Sequence, residues 1–347
     1  MALRSARVLP VAIAVLLAAS CGGSSTGTPA AAGTPAASTT ARPGGPGSII
    51  YTTQAGLDEY SLKSHTSKPL VRPDNKDTFL LDPAVSPDGT LIAYVSQPPP
   101  KTQGNTYDAG SDLWVANRDG SNPHAVFVHA VPNQLVRAPQ WEDEAHILAI
   151  VQELTTARGV TNVTYTLERI DAASGQRTNL LTDVVAFGLS PDHKRVVYAR
   201  LAQQGGETLV AVDLAGGAPA TLVDATANLA PFNSPRYSPD GKAIAFASAD
   251  QTGARANVTY VSSRSLGPAG RPALDGLPED IWTVPASGGT PRRVADIKED
   301  LPALAWSGDG KHIYVLGANA LYDVNLATGA IDKLGPGSFH GQLAWTP

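Results

Sequence analysis

Hydrophobic positions along this chain fall in short unbroken runs, each a few residues beyond a polar turn. Five of them occupy residues 91–95, 147–151, 196–199, 243–246 and 313–316. Strict alternation would mean a strand with one wet face, whereas an unbroken run means a strand covered on both faces. The turns repeat as well: AVSPDGTLIAYVS, FGLSPDHKRVVYAR, RYSPDGKAIAFAS and LAWSGDGKHIYVLG align without a gap, and PQWEDEAHILAIV is a degenerate fifth copy. Serine accepts backbone hydrogen bonds at the first turn position, proline presets φ at the second, aspartate suits the third and glycine supplies positive φ at the fourth. A second hairpin follows in each copy, with its turn at Asp119-Gly120, Ser174-Gly175, Gly216-Gly217, Gly288-Gly289 or Thr328-Gly329. Each unit therefore reads as a four-stranded antiparallel sheet.

The turn residues Asp88, Asp143, Asp192, Asp240 and Asp309 are spaced by 55, 49, 48 and 69 residues. That period, together with strands covered on both faces, predicts an all-β, six-bladed β-propeller over residues 48–347. Five blades are complete in the sequence and the sixth is split. Residues 48–72 hold an apolar run and a hairpin with no innermost strand before them, and the final GQLAWTP is an innermost strand with nothing after it. Pairing the C-terminal strand with the N-terminal blade closes the ring and removes its open edges. Val85, Trp141, Leu189, Tyr237, Trp306 and Trp345 then share the apolar position just before the turn.

The Ser-Pro-Asp-Gly hairpins and the string LWVANRDGSNPHAVF resemble the WD40-like β-propeller repeats of TolB-type proteins. The resemblance covers blades two to six and part of the first. It implies the fold, and it implies little about the job, since the same repeats serve periplasmic TolB, peptidase propellers and many bacterial lipoproteins. TolB itself carries an α/β domain before its propeller. Here residues 22–47 read as tether, which argues against a Tol–Pal role.

Arg4 and Arg7, an apolar run over residues 8–19 and small residues before Cys21 have the layout of an export signal. A run of about a dozen residues is too short to span a bilayer, which takes roughly 20. Residues 1–20 are therefore expected to be cleaved. Cys21 is the single cysteine, so it has no intramolecular partner. LLAASC resembles a bacterial lipobox, which implies a lipid on Cys21 and anchorage at the outer face of the cytoplasmic membrane. Ala18 and Ser20 also suit an ordinary signal peptidase and a released protein. Residues 22–47 contain no apolar side chain larger than alanine and proline, which predicts a disordered tether from Cys21 onward. Without the signal the chain has 24 basic and 31 acidic side chains, a net charge of −7 that argues against nucleic acid as a partner.

Catalytic signatures are few. GSSTG matches G-x-S-x-G only inside the tether, and neither H-E-x-x-H nor a phosphate loop occurs, so no metal or other cofactor is expected. The repeated aspartates sit in separate hairpins and read as turn residues. Extra length is more informative: residues 97–112, 153–162 and 249–280 are insertions between second and third strands, all on one rim of the propeller. Loops on a rigid scaffold carry function, and aromatic and arginine side chains dominate interface energetics. Tyr107, Arg158, Tyr260, Arg264 and Arg271 are the candidate rim contacts. Asp82, Arg137, Arg236, Asp300 and His340 lie where innermost strands begin and could ring the channel mouth, for a small ligand, a cation or solvation alone. The expected function is a monomeric, non-catalytic binding or scaffold module for an envelope protein or cell-wall component. The alternative is an extracytoplasmic hydrolase or lyase with its site at the channel mouth.

Overall fold

A computed structural model describes residues 47–99, 101, 109–157, 160–201, 207–252, 266–267, 271–272, 278–338 and 341–347. Residues 1–46, which include Cys21, the expected export signal and all but the last residue of the expected tether, lie outside the described residues. Six four-stranded antiparallel sheets form a ring, and among the described residues the only helical turn is the short 3-10 segment Ala225–Ala227. The innermost strands of blades 2 to 6 are Phe79–Val85, Gln134–Trp141, Val184–Leu189, Asn233–Tyr237 and Ala303–Trp306. Blade 1 is built as Leu343–Thr346, Ser48–Thr53, Gly56–Ser61 and Thr66–Val71, so its innermost strand comes from the C-terminal end. The closing register pairs Ile50 with Ala344 and Tyr51 with Leu343. Leu343–Thr346 also touches the innermost strands of blades 2 and 6, which completes the circle.

The apolar runs occupy the second strands, as expected: Ile92, Ala93, Ile147, Leu148, Val196, Val197, Ile244, Phe246, Ile313 and Val315 are all fully enclosed. Their side chains fill wedges between neighbouring blades rather than one central core. Ile50, Leu57, Ile92 and Tyr94 pack blade 1 on blade 2, while Tyr51, Leu316, Leu321 and Trp345 pack blade 6 on blade 1. Burying Leu343 and Trp345 contributes roughly 1.5–3 kcal/mol apiece to closure. Among the described residues no helix is long and apolar enough to cross a membrane.

The turn chemistry accounts for the repeated letters. Ser86 Oγ donates to Asp88 Oδ1 at 2.6 Å and accepts the Leu91 N–H at 2.9 Å, while Asp88 Oδ1 also accepts the Thr90 N–H at 3.0 Å. The same three bonds recur around Ser190, Ser238 and Ser307, so serine and aspartate cap the corner between the first two strands. These bonds hold the Asp88, Asp192, Asp240 and Asp309 carboxyls below the usual range, with the serine hydroxyl as the largest cause. His193 takes the glycine position at φ 56°, and its Nδ1 meets the Glu142 carbonyl of the preceding blade.

One insertion differs from expectation. At residues 153–162 there is no lengthened loop: the second and third strands of blade 3 themselves run on as His146–Ala157 and Val160–Asp171, paired through Val160↔Ala157. Residues 154–165 hold four threonines and two valines, and β-branched side chains favour extended backbone over a loop.

Candidate functional site: the propeller axis and its rim

Innermost strands in blades 2, 3 and 5 share a local device. Asp82-Pro83, Ala138-Pro139 and Ser234-Pro235 stand at the same place in the repeat, and the residue before each proline has φ of 53°, 49° and 46°. Each step coincides with a break in register against the second strand. A bulge of this kind turns a side chain out of the pleat. The outliers gather at the propeller axis, where such strain persists only if neighbours hold it.

Neighbouring blades supply that hold. Asp82, 8 % exposed, accepts the Ala138 N–H of blade 3 at 2.7 Å and the Gln342 N–H of blade 1. Arg236 of blade 5 donates from Nη1 to the Phe187 carbonyl of blade 4 at 2.8 Å and to the Pro235 carbonyl at 2.9 Å. Its Nη2 reaches Gln342 Oε1 at 2.8 Å, an atom that also accepts from Ser234 Oγ at 3.0 Å. Ser234 Oγ in turn accepts the Leu304 N–H of blade 6 at 2.9 Å. Gln140 bridges blades 3 and 4 by donating to the Phe187 carbonyl and accepting the Leu189 N–H, each at 3.0 Å. Gly188 belongs to this constriction because a Cβ there would lie 2.1 Å from the Pro235 carbonyl oxygen.

Electrostatics follow from enclosure. Burial pushes the Asp82 carboxyl above the ordinary carboxylate value, against the pull of the Ala138 N–H, Arg137, the Gln342 N–H and Arg236. Burial also draws the Arg236 guanidinium down to about 10, with Asp82 opposing, so it stays charged at neutral pH. Arg236 keeps partial solvent contact and makes three hydrogen bonds to protein oxygens.

The structure thus brings together three of the five channel-mouth candidates, Asp82, Arg137 and Arg236. Arg137 acts on Asp82 through its charge and donates to Gln152 Oε1 at 3.2 Å. Asp300, half-buried, lies on the connection between Arg292–Glu299 and Ala303–Trp306. His340 lies outside the described residues. Sequence reasoning missed Ser234, Gln140 and Gln342; for Ser234 and Gln140, which flank Pro235 and Pro139, the proline three residues before the turn was the available signal.

Of the rim candidates, Tyr107, Arg158, Tyr260 and Arg264 lie outside the described residues. Arg271 belongs to the two-residue strand Arg271–Pro272, paired with Leu266–Gly267, and only its backbone is described. On the opposite face a cleft of about 880 Å³ opens between blades 1 and 2, lined by Glu59, Lys68, Leu70, Arg118, Thr346 and Pro347. Its buried acid is already matched: Glu59 meets Arg118 Nη2 at 2.6 Å and Lys68 Nζ at 2.9 Å. Burial raises the Glu59 carboxyl, and the two cations outweigh that and hold it below the usual range. Among the described residues no group of three or more His, Cys, Asp or Glu side chains is placed to hold a metal ion.

No protein-family model matches the sequence, and no curated protein matches it either. Solved structures do. TolB from Acinetobacter baumannii is 18 % identical, with 85 % of this chain and 70 % of that chain covered and a TM-score of 0.50. A putative TolB from Agrobacterium tumefaciens is 15 % identical, with 86 % and 98 % covered and a TM-score of 0.51.

Proposed function

From a fold established as a TolB-like six-bladed β-propeller, we propose that this chain is a non-catalytic binding or scaffold module. It is displayed outside the cytoplasm, tethered by a lipid on Cys21, and engages an envelope protein or cell-wall component through the rim that carries the lengthened connections. The observation that carries this reading is the state of the axis. Asp82, Arg236, Gln342 and Ser234 are engaged with one another and with backbone groups of five blades, so polar chemistry that could serve a substrate serves ring closure instead. The longest connection, between Ala243–Ser248 and Glu279–Pro285, leaves more room for recognition than any turn on the opposite face. A monomer is the expected solution state.

Two variants separate the binder from the alternative enzyme. Deleting residues 253–276 abolishes capture of the partner from solubilised envelopes, and alanine at Arg137, Asp300 and His340 together leaves it intact, with melting temperatures recorded for both. Capture lost only in the triple variant would move the site to the channel mouth and sink the rim reading.

A further inference from the structure

The extended hairpin of blade 3 is the one place on the described rim where strands outrun their sheet. His146–Ala157 pairs with Gln134–Trp141 only as far as Gln134↔Glu153, and Val160–Asp171 pairs with Arg177–Thr182 only from Thr166↔Thr182. Residues 154–157 and 160–165 therefore rise as a two-stranded ribbon, about 13 Å tall at roughly 3.3 Å per residue along the shorter strand. Asn162, Val163 and Thr164 are all exposed, so both ribbon faces meet solvent.

The direction of the backbone groups can be worked out. Asn133 O accepts the Leu154 N–H at 3.1 Å, and Asn133 Nδ2 donates to the Leu154 carbonyl at 3.4 Å. Both main-chain groups of Leu154 thus point away from its partner strand. Leu154 pairs with Val163, so this is a non-hydrogen-bonded antiparallel pair, and the N–H and C=O of Val163 point outward on the other side. Thr161, two residues along, shares that orientation. Natural edges are usually guarded by lysine, proline or a bulge; residues 160–165, VTNVTY, contain neither residue and no charge. Among the described residues the exposed large aliphatic side chains are Val128, Val131, Val163 and Ile331, and three of these four belong to the ribbon or to the connection that Asn133 ties to its base.

We infer that the outer edge of Val160–Asp171 beyond its pairing with Arg177–Thr182 docks an extended peptide segment of the partner protein, which adds as a further strand. This rests on the rim reading above and names the partner's chemistry. A row of outward N–H and C=O groups at strand spacing is matched in register by another extended backbone. The absence of charge at residues 160–165 selects a neutral, β-branched segment over an acidic or basic one. A bilayer surface does not fit, because the edge would enter it with its polar backbone groups unpaired.

The test uses a labelled peptide with the sequence of residues 160–165 as a neutral β-branched probe, added to the full chain. The expected result is saturable binding, with amide hydrogen exchange at Thr161 and Val163 slowed on addition. Methylating alternate peptide nitrogens removes binding on the unaltered chain. Val163→Pro, which deletes an outward donor without touching the ladder to His146–Ala157, weakens it about tenfold or more, as expected for lost main-chain bonds. Equal binding of the methylated peptide, or unchanged exchange at saturating probe, overturns the proposal. If envelope capture still requires residues 253–276 in that case, strand addition is wrong while the rim reading stands; if capture is also indifferent to those residues, both fall. A dimer of the chain that Val163→Pro dissociates in sedimentation would assign the edge to a second copy and overturn the partner assignment.

Discussion

The hairpin corners and the propeller axis both carry serine, aspartate and bulged or left-handed backbone, yet they satisfy their polar groups in opposite ways. At each corner the serine and aspartate find their partners within five residues, as for Ser86, Asp88 and Leu91. At the axis Asp82 is tied to Ala138 across 56 residues, Arg236 to Gln342 across 106 and Ser234 to Gln342 across 108. The corners make blades and the axis makes a ring. A blade can be copied with its corner intact, while each axial residue has meaning only where the neighbouring blades place its partners. That difference predicts which substitutions are local and which are global.

The largest effect should come from removing the closing strand. A chain ending at Ser338 loses the pairing of Leu343–Thr346 with Ser48–Thr53, the burial of Leu343 and Trp345 and Gln342 with all its axial bonds. Hydrogen bonds of about 0.5–1.5 kcal/mol each and two buried side chains at roughly 1.5–3 kcal/mol apiece are comparable to a whole-domain stability of about 5–15 kcal/mol. Limited proteolysis should open the truncated chain and leave the intact one resistant. An unchanged melting temperature would mean that the ring closes by other means.

Next comes Arg236→Met, which leaves Asp82 enclosed without the guanidinium. It also removes the bonds to the Phe187 and Pro235 carbonyls and to Gln342 Oε1, at about 1.5–3 kcal/mol per hydrogen bond to a charged group. The pH dependence has a definite sign. The Asp82 carboxyl already lies above its ordinary value, and losing Arg236 drives it further up. A carboxyl raised on folding favours the folded state at low pH and loses that advantage as pH rises through its folded value. Urea titrations should therefore find the gap between variant and parent widest near neutral pH and narrower on acidification. A gap independent of pH would show that Asp82 does not respond to Arg236.

Smallest is a corner substitution. Ser238→Ala removes the hydroxyl that donates to Asp240 and accepts the Ala243 N–H, at about 0.5–1.5 kcal/mol per bond, toward the low end because Asp240 is exposed. Asp240 is held below its ordinary value, so its contribution is complete above the unfolded value of about 3.9 and fades as pH falls through the folded one. Parent and variant should differ at pH 7 and converge in acid, the same direction as for Arg236→Met but at lower pH and on a smaller scale.

The two regions also differ in how much of them the sequence disclosed. Corners were legible because each is a contiguous motif in which every letter has a local reason. The split blade was legible because Leu343 and Trp345 repeat the pattern of Leu304 and Trp306. At the axis, Asp82 and Arg236 stood out by charge and position, but Gln342 and Ser234 did not, since an uncharged side chain shows its importance only when partners from other blades converge on it. Arg137 was a candidate by charge and position, but its tie to Gln152 depends on pairing between strands and not on spacing. The ribbon of blade 3 is not legible from the length of its insertion, which a loop and a longer hairpin share; only its threonines and valines favour strand.

The claim that the axis is a tie between blades is tested most directly by a double-mutant cycle on Arg236→Met and Gln342→Ala, read by urea unfolding at neutral pH. If Arg236 and Gln342 act as one latch, the double variant is less destabilised than the sum of the singles by about 1 kcal/mol or more, within the range found for residues in contact. Additivity to within about 0.3–0.5 kcal/mol, the behaviour of independent sites, would contradict it.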